Sequence, residues 1–202
     1  DGLVGSEMCI RDRSVAAAGR NNTYKNCMML YPSVQIYVPE LGRNILVPPS
    51  ALAAGLRVKI DENIGWNRVL SNNMIHSVSA VSKDLSWSMS NFDTDVSFLN
   101  NNKVTCVVQR QNGGFYFWGC RTGSDDELYK YESTVRTESI VEDTLVNSLS
   151  YLPGTAMSQG IFENVIESAN AKIRELVSQK LLVGGECYMD PDLNTNDIFS
   201  QG

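Results

Sequence analysis

The 202-residue chain has a single histidine, His76, so any Ser-His-Asp hydrolase would have to be built on that one side chain. It stands in the string SNNMIHSVS with no G-x-S-x-G elbow nearby, and a lone histidine is more often packed or solvated than catalytic. The five cysteines, Cys9, Cys27, Cys106, Cys120 and Cys187, are odd in number and contain no C-x-x-C spacing. That disfavours a disulfide framework or a zinc site and favours reduced thiols. Basic charge is in deficit, with 17 Lys and Arg against 23 Asp and Glu, a net charge of -6 and a pI near 4.8. Such a surface is not built to neutralise phosphates, and no nucleic-acid partner is expected. No apolar run approaches the ~20 residues that cross a bilayer, and the start lacks the basic-then-apolar pattern of a signal peptide. A soluble protein without membrane insertion is expected.

What is present is an ordinary globular composition, 43% hydrophobic and 20% charged, over a length suited to one domain or one and a half. The first thirteen residues, DGLVGSEMCIRDR, stand apart, because SEMCIRDR resembles a translated sequencing-adapter remnant. They are expected to be a non-native leader outside the fold. Setting aside their two arginines and three acids leaves 15 basic and 20 acidic residues, so the acidic character is not theirs. The chain stops at Phe199-Ser200-Gln201-Gly202 with no closing element, and both ends are expected to be cut.

Periodicity places elements along the chain. Ser33 to Val38 alternates polar and apolar before Pro39, a half-buried strand closed by a breaker. The run from Pro49 to about Glu62 reads as a helix with proline at its start. Ser77–Val81 and Leu85–Met89 are short strand candidates, and a short helix is expected around Asp95–Asn100. The β-branched run 103–109 and the aromatic run 115–120 flank Asn112-Gly113-Gly114 and predict a hairpin at the heart of a sheet. A strand is predicted over 129–136, then a helix through Ile140, Val141, Leu145, Leu149 and Leu152, with Ser139 and Glu142 as its capping box and Pro153-Gly154 as its stop. The longest helix is predicted over about 158–182, ended by Gly184-Gly185, with a strand at Glu186–Met189.

Site chemistry finds little to hold. The acidic run Ser124-Asp125-Asp126-Glu127 lacks the alternation and glycine of a calcium loop and reads as a solvated turn. Asp190-Pro191-Asp192 with Asn194 reads as turn chemistry too. Gly113-Gly114 and Gly184-Gly185 do not match a phosphate loop, so neither a cofactor nor a metal is expected. On the long helix Glu163 and Glu167 precede Lys172, Arg174 and Lys180, an order that favourable dipole placement explains as well as a basic contact surface does. In FYFWGCRT (115–122), alternation puts Phe115, Phe117 and Gly119 on one face and Tyr116, Trp118 and Cys120 on the other. Both faces are apolar, as in an inner strand covered on both sides.

Three ordered segments together carry a resemblance: VPPSALAAGLRVKIDENIGWNRVLSN, SFLNNNKVTCVVQRQNGGFYFWGCRTGSDDELYKYESTVRT and NAKIRELVSQKLLVGGECYMDPDLNTNDIF. From about Tyr31 to Gly202 the chain resembles the tail sheath proteins of contractile bacteriophages, nearest those of enterobacterial temperate myophages and the R-type pyocins. The matching features are the Pro-Pro-Ser helix start, Asp61, Gly65-Trp66, Leu99-Asn100, Trp118-Gly119 with Arg121-Thr122 as a structural motif, a strand end at Val135-Arg136-Thr137, and Asn194-Thr195. The resemblance implies a mixed α/β fold, a central sheet with packed helices. It also implies a division into a leader (1–13), part of a subtilisin-like sheath domain (14–95) and a sheath C-terminal domain lacking its last strand and arm (96–202). It implies a structural subunit and not an enzyme. Such a subunit polymerises with itself through exchanged strands around a tail tube protein, between baseplate and tail terminator, in the virion tail after assembly in the host cytoplasm. The long helix is then the tube-facing element, with Lys172, Arg174 and Lys180 as contacts. The alternatives are a small intracellular α/β hydrolase using His76, and a type VI secretion sheath component.

Overall fold

Five consecutive residues, Val104 to Val108, are buried, which requires a strand with cover on both faces. In the computed structural model, which describes residues 2–111, 113–154 and 159–190, this strand lies inside a four-stranded mixed sheet. Along the chain run α1 (Gly2–Asn21), β1 (Met29–Tyr31), β2 (Val34–Val38), β3 (Arg43–Val47), α2 (Ser50–Asn63), β4 (Met74–Ile75) and β5 (Val78–Val81). There follow α3 (Asp95–Asn101), β6 (Val104–Gln109), β7 (Phe115–Trp118), α4 (Glu132–Ser148) and α5 (Gln159–Ser178). The main sheet has the order β1-β6-β7-β4, with β1 parallel to β6 and the other pairs antiparallel. A second, antiparallel sheet has the order β3-β2-β5, with an irregularity between Gln35 and Ile36.

The two-residue period of β6 and β7 sorts the core into two clusters. Val107, Phe115 and Phe117 pack with Val34, Ala53 and Ile60 of α2, Leu70 and Ile75. Val104, Cys106 and Val108 pack with Val96 and Leu99 of α3 and Ala16 of α1, joined by Trp87, Tyr116 and Trp118. The predicted hairpin is therefore present and central, and Asn112 of its turn lies outside the described residues. Helix α3 starts where Thr94 accepts the Ser97 amide at 3.3 Å, a side-chain N-cap.

The structure divides into two compact units, residues 1–137 and 138–202. The boundary expected at 95/96 falls inside the first, because β1 and β6 pair within one sheet. Nor do the first thirteen residues all stand outside the fold. Asp12 is buried and ion-paired with Lys83, 71 residues away in sequence. One turn further along α1, Ala16 is fully buried.

Five local expectations are corrected. Residues 129–136 are not a strand: α4 begins at Glu132, and only the isolated Arg121–Tyr131 bridge is strand-like. The resemblance-based strand end at Val135-Arg136-Thr137 is accordingly helical, with Val135 buried at helical spacing. Ser139 and Glu142 lie inside α4 and not at its start, so they are not its N-terminal capping box, while Pro153-Gly154 lies in a turn beyond the helix end. Leu85–Met89 is irregular because the Ser86 N–H and hydroxyl both donate to Asp95, at 3.0 and 2.8 Å, drawing the backbone out of a ladder. Glu186–Met189 forms no strand either, since Asn170 takes both polar groups of Cys187, donating to its carbonyl at 2.9 Å and accepting its N–H at 2.8 Å. In the second unit Ala169, Ile173 and Leu176 are the buried stripe of α5, which ends at Ser178.

Phe117, fully buried, and Phe92, 80% exposed, give a paired test of this packing. Phe117→Ala should cost about 3–5 kcal/mol in urea melts, whereas Phe92→Ala should stay within about 0.5 kcal/mol of the parent. Equal losses would contradict the core assignment.

Candidate functional site

The end of β7 is where the motif residues converge. Gly119 follows Trp118 at φ +115, a conformation open to glycine at little cost. A Cβ there would stand 2.4 Å from the Asn100 amide and 3.2 Å from Thr105 Cα. With its nitrogen turned inward, the Asn100 side chain donates to Val104 O at 2.7 Å and Trp118 O at 3.2 Å, tying α3 to both strands of the hairpin. Arg121 donates to Asn101 O at 3.3 Å. Thr122 is buried: its hydroxyl donates to Tyr129 O at 2.5 Å and accepts from Ser124 N at 3.1 Å, closing the acidic turn. The four motif residues Trp118, Gly119, Arg121 and Thr122 thus hold backbone to backbone.

On the outer side of β7 the aromatics surround a cation. The Arg110 guanidinium lies 4.4 Å from the Tyr116 ring and 5.8 Å from each of Trp87 and Trp118. The two indoles meet edge to face at 5.1 Å, and Arg110 also bonds Asn72. FYFW is structural on both faces: phenylalanines inward, and tyrosine and tryptophan gripping an arginine, a stacking that adds about 0.5–2 kcal/mol per contact.

A second constellation was not visible in the sequence as a whole. Arg57 on α2 bonds Glu132 at the start of α4 and Arg68 O at 2.7 Å, and lies 3.7 Å from Asp61. Arg136 is 2.5 Å from Asp61 and 3.7 Å from Glu132. Asp61 and Arg136 are among the matching features named above; Arg57 and Glu132 lie in the quoted segments without being singled out, and became identifiable only when the fold brought the two helices together.

The acidic turn 124–127 is engaged internally. Asp125 meets Lys103 Nζ at 2.6 Å, Glu127 meets Lys130 at 3.0 Å, and Asp126 accepts the Leu128 N–H at 2.9 Å. Lys103 Nζ also donates to Gly123 O at 2.8 Å and Asn22 O at 3.2 Å. Among the described residues no group of His, Cys, Asp and Glu is arranged to hold a metal ion, and no helix is long and apolar enough to cross a membrane. His76 is exposed in the turn between β4 and β5. Burial pushes the Cys106 thiol far up, and burial followed by the nearby Glu132 pushes Cys120 up. Raised thiols of this kind are poor nucleophiles.

In the second unit, Lys172 pairs with Glu175 at 2.8 Å and Arg174 with Glu167 at 2.6 Å. Lys180 is exposed beyond the helix end, with φ +60, so it is not a residue of the helix as expected. Lys172 and Arg174 project along α5 with acids of the same helix.

No protein-family model matches the chain. It is 28% identical over its whole length to the tail sheath protein of Escherichia phage P2, covering 50% of that protein. Over 87% of the chain it is 34% identical to the major tail sheath protein of Serratia phage KSP20, covering 44% of it. The chain is a relative of the phage tail sheath proteins. Its fold superimposes with TM-score 0.75 and 22% identity on a subunit of the anti-feeding prophage helical sheath in the contracted state, over 90% of this chain and 51% of that one. The chain spans about half the length of the curated sheath proteins it matches. The mixed α/β fold expected from the resemblance is the fold observed.

In this sheath relative the backbone-tying motif and the charge cluster should dominate stability, and the exposed pairs of α5 should not. Gly119→Ala should cost about 2 kcal/mol or more through strain and overlap. Arg57→Ala should cost about 3 kcal/mol by stranding Glu132, while Arg174→Ala should cost under about 0.5 kcal/mol. Chemical denaturation of the three variants checks the order, and a tolerated Gly119→Ala would contradict the close approach to Asn100.

Proposed function

We propose that the chain is part of a structural subunit of a contractile tail sheath, which polymerises around a tail tube and contracts to drive the tube through the host envelope. The observation that carries this reading is the agreement of two independent likenesses over nearly the whole chain: sequence to phage sheath proteins and fold to a subunit of a contracted helical sheath. The subunit is not an enzyme. Its partners are other copies of itself through exchanged strands, the tail tube protein, the baseplate and the tail terminator, and its place is the virion tail after assembly in the host cytoplasm. Work comes from an extended assembly relaxing into a better-packed one, and each subunit needs a stiff body to transmit it. The hairpin β6–β7, with both faces filled, supplies such a body.

Lys172, Arg174 and Lys180 are proposed to face the tube. The acids that pair with Lys172 and Arg174 on the same helix are exposed, and an exposed pair holds with only about 0.2–1 kcal/mol, so an acidic tube surface can compete for these cations.

The test is assembly. The complete reading frame containing this chain, expressed and imaged by negative stain, should give long cylinders. The 202-residue chain alone should sediment as monomers or heterogeneous aggregates, because register in strand exchange requires the tethered strands. A complete protein that stays monomeric with its tube protein present would refute the function. Regular cylinders from the chain alone would refute the role of exchanged strands. Changing Lys172, Arg174 and Lys180 together to Glu in the complete protein should abolish tube decoration while leaving the fold intact, and unchanged decoration would remove them from the tube face.

A further inference from the structure

Asp61 and Glu132 are two carboxylates bridged by the same two arginines. Each lies within 4 Å of both Arg57 and Arg136, and the side chains are 11% to 31% exposed. Two positive and two negative groups balance in charge but not in hydrogen bonding. Two acceptors, Glu132 Oε2 and Asp61 Oδ1, are buried without a hydrogen-bond partner against one unpartnered donor, Arg136 Nε. Leaving such acceptors unmatched costs about 1–3 kcal/mol each, and ionised acids offer acceptors only. One proton changes the inventory: a protonated Glu132 has a donor to present where a second carboxylate lacks one.

We propose that Asp61 and Glu132 form a proton-binding pair that fastens the first turn of α4 to α2 more firmly when it holds a proton. The groups facing Glu132 are Arg57 and Asp61 from α2, Arg136 from its own helix, the Leu70 N–H from the segment after α2, and the Cys120 thiol. Burial pushes the Glu132 carboxyl up and Asp61 acts in the same direction, while Arg57, Arg136 and the Leu70 N–H oppose them; burial prevails. A carboxyl raised by folding binds its proton more tightly in the folded chain than in the unfolded one. Its contribution is therefore absent above the folded value, grows as the pH falls through it, and is complete below the ordinary glutamate range.

Carboxyl 13C NMR of the full chain between pH 8 and pH 4 tests this. Glu132 should titrate above the ordinary glutamate range, and Asp61→Asn should move its midpoint down. Hydrogen exchange at amides 133–137, corrected for intrinsic rates, should slow at least threefold from pH 7 to pH 5 in the parent. Glu132→Gln, which carries a permanent donor, should show the slow rate at both pH values. A Glu132 midpoint within or below the ordinary glutamate range overturns the proposal, as does a Glu132→Gln chain that keeps the parent's pH dependence. If Glu132→Gln does not fold, the parent titration and its response to Asp61→Asn decide alone.

Discussion

Everything in the first unit depends on covering both faces of the β6–β7 hairpin. A strand such as Val104-Thr105-Cys106-Val107-Val108 cannot leave either face in water, so α2 and the second sheet must lie on one side and α1 with α3 on the other. The polar ties then follow from where the cover ends. Asn100 and Gly119 fasten α3 to the hairpin, Arg110 fills the aromatic gap on the outer face, and the Arg57 cluster secures α2 against α4. Each tie joins two layers that the apolar core alone would leave free to slide.

The hairpin, α2, α3 and α5 were legible because their signals are local: β-branched runs, aromatic alternation, a proline at a helix start and a long amphipathic stripe. What was not legible depended on distant partners. Residues 129–136 carry Tyr129, Tyr131 and Val135, which read as strand, yet Glu132 and Arg136 find opposite charges on α2, some 75 residues earlier, and the helix wins. Glu186–Met189 has strand composition but meets the side chain of Asn170 and not another strand. Leu85 and Trp87 pack on the core while Met89 is exposed, so the strand expected there is not formed, Asp95 having claimed the intervening Ser86 backbone.

The leader-like segment makes the same point from the other side. Nothing local in its composition suggests an element, yet Asp12 meets Lys83 in a buried pair and Ala16 one turn later is in the core. For the candidate site, the glycine and threonine of the motif were visible as residues, whereas their work, holding backbone against backbone, was not. Lys172 and Arg174 of α5 pair with acids of their own helix.

Lys103 has a further consequence. Its ammonium gathers two main-chain carbonyls and a carboxylate, the kind of oxygen shell that in many proteins surrounds a dissolved cation. Here the cation is tethered to the chain itself. The loops at Asn22, Gly123 and Asp125 are therefore joined by a centre that needs no dissolved ion to form, because its positive charge is part of the chain.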